Sequence, residues 1–159
     1  MFMTRTGLLL CGVLALAAPA YAQHDHADHV AHAAAEGEQV PAPTPRWTAD
    51  ASLREGMGRV HRALADLGRY EHGQMSAAQA QNQAGQIQDA VTTIIRHCKL
   101  PPERDEVLHG MLGPLLGAAQ KLKDQPQDMA QVAAMRQAVA AYPRYFDDPG
   151  WQKPARGSD

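Results

Sequence analysis

The donor-bearing side chains of this sequence fall into two groups. The first is a run at 23–32 in which His24, His26, His29 and His32 are interleaved with Asp25 and Asp28. Neutral imidazole is the commonest metal ligand, and the 26/29 and 29/32 spacings bring pairs of rings within reach of one ion. Protonation below pH ~6 should release a metal held this way, since free imidazole titrates near 6.5. The second group is scattered along the chain: Met57, His61, Cys98 and His109. A thiol, a thioether and imidazoles together suit Cu(I) or Zn(II) far better than hard cations, because soft ligands select soft metals.

Other chemistries find less support. A c-type haem needs a Cys-x-x-Cys-His attachment, and no such run occurs. A b-type haem held between helices could take Met57 but finds no histidine in the last helical segment. For nucleophilic catalysis, Ser52 and Ser76 are better explained as helix caps, and Cys98 has no base and orienting group nearby in sequence. Asp105 sits where a helix dipole favours a carboxylate. The residues therefore point to a protein that binds rather than transforms.

The chain's organisation says where these groups meet. Arg5, the apolar run 7–18 and Ala20-Tyr21-Ala22 have the order of a cleavable secretory signal, which predicts removal of residues 1–22 and a periplasmic location. The apolar run is shorter than the ~20 residues a membrane span requires, and no second stretch of spanning length follows. Cys11 leaves with that segment, so Cys98 would be the one remaining thiol, a buried residue, a metal ligand or half of a bridge between two copies. The chain carries 15 basic and 17 acidic residues, and no basic stripe recommends nucleic acid or an anionic membrane as partner. Residues 23–45, rich in His, Ala and Pro, read as a disordered arm and linker, and 152–159 as a disordered tail.

Between them, apolar residues at three/four spacing predict four helices and no strands. The first covers roughly 52–68 on Leu53, Met57, Val60, Leu64 and Leu67, with Ser52 and Glu55 as a capping box. The second covers roughly 76–99 on Ala80, Ala84, Ile87, Val91, Ile94 and Cys98, with Ser76 and Gln79 as its box. The third follows Pro101-Pro102 and runs to about Lys123 on Leu108, Leu112, Leu115, Ala119 and Leu122. Pro114 should kink it, and Gly110, Gly113 and Gly117 should let a neighbour approach closely. The fourth runs from near Pro126 to about Tyr142 on Met129, Val132, Met135, Val139 and Tyr142. Tyr145, Phe146 and Trp151 then form an aromatic lid closed by a Pro-Gly turn.

Short connections favour antiparallel neighbours, which predicts an all-α, up-down-up-down four-helix bundle over residues 46–151. In that topology one pole collects Trp47, Met57, His61, His97, Cys98, His109, Tyr142 and the lid. A linker of about 15 residues tethers the histidine run there with a reach on the order of 20 Å. Cys98 is then the expected anchoring thiolate, His109 and Met57 the next ligands, His61 an optional fourth, and the arm a low-affinity collector.

The stretch 97–109, with Cys98, Leu100, Asp105, Leu108 and His109, resembles the central turn of a family of small periplasmic helical proteins sometimes called DnrO-like. Arg46-Trp47, Gly56-Met57 and the tail 141–151 are also similar, so the likeness spans most of 46–151. It implies export, a helical bundle and a histidine-rich N-terminus, and carries no settled activity. Pro143 departs from the small residue expected there, which puts the end of the fourth helix in doubt. The expected function is an exported, non-enzymatic metal binder, with copper ahead of zinc and no haem, as a monomer or a Cys98-linked dimer. The rival reading is a structural or protein-interaction bundle without metal; a small-ligand carrier ranks lower.

Overall fold

The computed structural model of the protein describes residues 41–152. The expected leader with Cys11, the histidine run His24, His26, His29 and His32, and most of the expected tail lie outside the described residues.

Four long helices carry the fold: α1 (Ala51–Glu71), α2 (Ala77–His97), α3 (Pro102–Asp124) and α4 (Ala130–Val139). A one-turn helix, α5 (Tyr142–Tyr145), follows α4. Contacts across the helix pairs show the up-down-up-down order. Gly56 near the start of α1 faces Ile94 near the end of α2. Gln81 near the start of α2 donates to the Lys123 carbonyl at the end of α3 (2.6 Å). Tyr70 at the end of α1 donates to the Pro126 carbonyl just before α4. The bundle is the all-α four-helix architecture that the periodicity predicts.

The predicted stripes are the core. Leu53, Met57, Val60, Leu64 and Leu67 of α1 are buried, as are Ile87, Val91 and Ile94 of α2 and Leu108, Leu112, Leu115 and Leu122 of α3. Each such side chain contributes ~1.5–3 kcal/mol when fully withdrawn from water. The exceptions are Met129, 45% exposed because α4 starts after it, and Cys98, which is only partly buried at the end of α2.

The ends of the elements differ from the sequence expectation in instructive ways. The second capping box forms as predicted: Ser76 and Gln79 exchange side-chain bonds with each other's backbone N–H. The first does not. Asp50, rather than Ser52, caps α1 by accepting from the Leu53 N–H (2.7 Å), and the helix runs to Glu71. Asp and Ser are comparable caps, so the two sites compete on context. α4 stops at Val139 because Pro143 has no N–H to give the Val139 carbonyl; Pro143 is instead accommodated in the first turn of α5. Pro114 lies inside α3, which runs unbroken past it from Pro102 to Asp124.

The glycine expectation moves from one helix to another. Side chains added at Gly110, Gly113 or Gly117 would meet nothing within 4 Å, so these are not points of close approach. At Gly56 a Cβ would lie 2.3 Å from Ile94 Cγ1 and 3.4 Å from the Ala90 carbonyl oxygen. The α1–α2 packing thus depends on the absence of a side chain there.

A two-residue parallel ladder, absent from the sequence expectation, pairs β1 (Trp47–Thr48) with β2 (Phe146–Asp147) in the register Trp47↔Phe146 and Thr48↔Asp147. Two residues are too few for any periodicity to announce. Arg46 reinforces the ladder by pairing with Asp147 (2.9 Å) and donating to the Pro143 carbonyl (3.1 Å).

Gly56→Ala should destabilise the protein by ~1–3 kcal/mol, the usual cost of forcing volume into a packed interface. Gly58→Ala, whose new methyl would find only the mobile end of Arg62 at 3.6 Å, should be neutral or stabilising by up to ~1 kcal/mol. Urea denaturation of the two variants decides this, and equal midpoints would contradict the packing assigned to Gly56.

Candidate functional site at the shared pole

The pole gathers groups from four elements, as the topology requires. Asp50 caps α1 with one carboxylate oxygen and, with the other, accepts from the Lys99 backbone N–H (3.1 Å) and the Cys98 thiol (3.4 Å). Cys98 is itself the residue that ends α2, its N–H donating to the Ile94 carbonyl (2.8 Å). One carboxylate therefore ties the start of α1 to the end of α2. Burial pushes the Asp50 pKa up, but the Leu53 and Lys99 N–H groups and the thiol outweigh it and hold the carboxyl below its ordinary value.

The same arrangement acts on Cys98 in the opposite sense. Burial disfavours the thiolate, the hydrogen bond and charge of Asp50 disfavour it further, and Asp105 adds to the effect, so the pKa rises to about 12. The thiol stays protonated at neutral pH and serves as a donor. A thiolate ligand or nucleophile would need the reverse environment, electropositive and open.

Above Cys98 lies the lid. Tyr142 is fully buried and its hydroxyl donates to Asp148 (3.0 Å), itself only 2% exposed. Burial, the Asp148 carboxylate and the nearby Cys98 all raise the tyrosine pKa. The other Asp148 oxygen accepts from the Gly150 N–H (2.9 Å) and the Trp151 N–H (3.4 Å), which builds the expected Pro-Gly turn. Rings then pack in sequence: Tyr142 on Phe146 (5.1 Å), Trp47 on Phe146 (5.6 Å) and on Tyr145 (5.8 Å), and Tyr142 on Trp151 (5.0 Å). Arg104 of α3 covers the outer face of Trp47 at 5.6 Å.

The four bundle residues read as ligands each have an assignment of their own. Met57 is fully buried in the core. Cys98 is bonded to Asp50. His61 stacks on Trp151 at 4.7 Å; burial lowers its pKa, Asp148 opposes this and Arg62 adds to it. His109 is half-exposed, with Nδ1 2.9 Å from the Asp105 carbonyl oxygen and 3.4 Å from the Asp105 carboxylate. A carbonyl only accepts, so Nδ1 carries the hydrogen there. Among the described residues, no group of three or more His, Cys, Asp or Glu side chains is placed to hold a metal ion. No helix among them is long and apolar enough to cross a membrane.

Sequence reasoning missed Asp50 and Asp148, the two carboxylates around which the pole is built. The turn Asp148-Pro149-Gly150 was legible as a turn, but the reach of Asp148 to Tyr142 was not. Compared with known protein families, curated proteins and solved structures, the chain matches none.

Two titrations follow from this geometry. At mildly alkaline pH, Cys98 in the folded protein should react with an uncharged thiol reagent on the order of a hundredfold or more slower than in the urea-unfolded chain. Asp50→Asn should narrow that gap, and a native thiol as reactive as the unfolded one would contradict the assignment. His61 has its folded pKa below the 6.5 of the unfolded chain, so the unfolded state takes up the proton first as pH falls. Its contribution is present above pH 6.5 and is lost on acidification below it. Melting temperatures of wild type and His61→Phe between neutral and mildly acidic pH check this: the variant should lose less stability over that range.

Proposed function

We propose that the protein is an exported, non-enzymatic metal binder of the periplasm in which the histidine run 23–32 collects the ion and the bundle is the folded body that carries it. Copper is the ion, since imidazole sites follow the order in which Cu(II) outranks Zn(II). The observation that carries the reading is the sequence of the run itself, four histidines and two aspartates within ten residues. The structure bears on which donors take part. Cys98, Met57, His61 and His109 each have a packing or hydrogen-bonding role in the bundle, and no three His, Cys, Asp or Glu ligands converge among the described residues. The proposal therefore shifts the anchoring role from Cys98 to the run. The leader-like residues 1–22 and the resemblance to the DnrO-like family support export.

A second reading, a metal-free bundle that binds a protein partner through its aromatic pole, is favoured by the commitment of the Cys98 thiol to Asp50.

Copper titration of the leaderless chain separates the two. Wild type and Cys98→Ala should take up Cu(II) equally, and replacing His24, His26, His29 and His32 together by Ala should abolish the uptake. Metal held on the run binds the folded and unfolded chains alike, so copper should leave the melting temperature of wild type unchanged. Absence of uptake by wild type would favour the partner-binding reading. Copper-induced stabilisation that Cys98→Ala removes would return the site to the bundle.

A further inference from the structure

At the end of the bundle away from the pole, α1 and α2 leave a polar cleft of about 240 Å³ between them. Antiparallel packing fixes which residues face each other across it. Gly56 of α1 lies against Ala90 and Ile94 of α2, which sets the level of the two helices. Each residue toward Glu71 on α1 then answers to one toward Ala77 on α2, at the same rise of ~1.5 Å. Asp66 comes level with Asn82 and Gln83, and Arg69 comes level with Gln79. All of these side chains line the cleft.

The two levels have opposite characters. The first holds acceptors. Asp66 is only 6% exposed, a position in which withdrawal from water penalises a carboxylate. Gln83 Oε1 is also withdrawn from water and meets no donor among the described residues, which is costly for a buried acceptor. The second level holds donors. The Arg69 guanidinium is exposed at the rim. Gln79 commits its Oε1 to the Ser76 backbone N–H (2.9 Å) and hydroxyl (3.0 Å), so its NH2 end is the one left to donate. This level adjoins the first turn of α2, where the helix dipole favours negative charge. Asp66 and Arg69 are three residues apart, ~4.5 Å along α1.

We infer that the cleft binds a small zwitterion of the free amino acid class. Its ammonium lies at the Asp66 carboxylate and Gln83 Oε1, and its carboxylate lies at the Arg69 guanidinium and the Gln79 NH2 group. A simple cation would meet Arg69 and a simple anion would meet Asp66, each at a like charge. A zwitterion matches both ends over the short separation the helix imposes, and it brings Gln83 Oε1 a donor. The volume falls below the ~300 Å³ at which pockets for drug-sized ligands begin, so the ligand is small. Asn82 and Gln86, neutral amides that both donate and accept, suit a polar side chain. The site is separate from the metal reading and uses none of its residues.

Calorimetric titration and two-dimensional amide NMR of the folded protein with glycine and with L-glutamine test this. At least one should bind and move the amide signals of Asp66, Arg69, Gln79 and Gln83. The N-acetylated forms lack the ammonium and the carboxamide forms lack the carboxylate, and each should bind at least ~tenfold more weakly. Arg69→Gln, at an exposed position, should weaken binding by a similar factor. Gln83→Leu removes the acceptor without a donor, so it should weaken binding while the melting temperature holds or rises. Three results would each overturn the inference: no response to either amino acid, equal affinity for the blocked forms, or undiminished binding by folded Arg69→Gln or Gln83→Leu.

Discussion

The Asp50 carboxylate is the fastener on which the pole depends. A helix start leaves N–H groups without partners, and a helix end leaves the chain free to splay. One side chain meets both needs here by accepting from Leu53 at the start of α1 and from Lys99 and Cys98 at the end of α2. Burial first, and then the hydrogen bond and charge of Asp50, raise the Cys98 pKa to about 12, so a residue that looks like a soft metal ligand behaves as a hydrogen-bond donor. Structure and reactivity at this position share their causes: burial of the thiol and a fixed carboxylate beside it.

A second fastener, Asp148, repeats the principle in the lid. It anchors the turn that places Trp151 over Tyr142 and His61, and it does so from a nearly fully buried position with every oxygen in use. The mini-ladder of β1 and β2 and the Arg46–Asp147 pair then stitch the chain before α1 to the chain after α5. The end of the bundle is thereby closed by aromatic packing over two hydrogen-bonded carboxylates. A pole built this way is suited to holding its shape, and it draws the sulfur and imidazole groups of the bundle into structural roles.

That closure redirects the functional argument toward the N-terminal run. Metal binding by a polar tract needs no preformed cavity, only donors at short spacing and a compartment where the ion is encountered. On the proposed reading the two segments answer to different constraints: the bundle needs burial and caps, and the run needs unprotonated nitrogen.

Helix number, helix faces, antiparallel order and the aromatic lid could all be read from the linear sequence. Each is a local or periodic property: a 3.6-residue repeat of Leu53, Met57, Val60, Leu64 and Leu67 permits one buried face, and short connections permit one order. The Ser76–Gln79 box was legible for the same reason. The pole's chemistry was not. Whether Ser52 or Asp50 caps α1, whether Gly56 or Gly110 sits at a close approach, and whether Cys98 faces a ligand or a carboxylate are settled by residues up to 49 positions apart meeting in space. Periodicity carries information about which face of a helix is buried, whereas the partner of a given polar atom depends on how two such faces rotate and slide against each other, and only the packed bundle decides that.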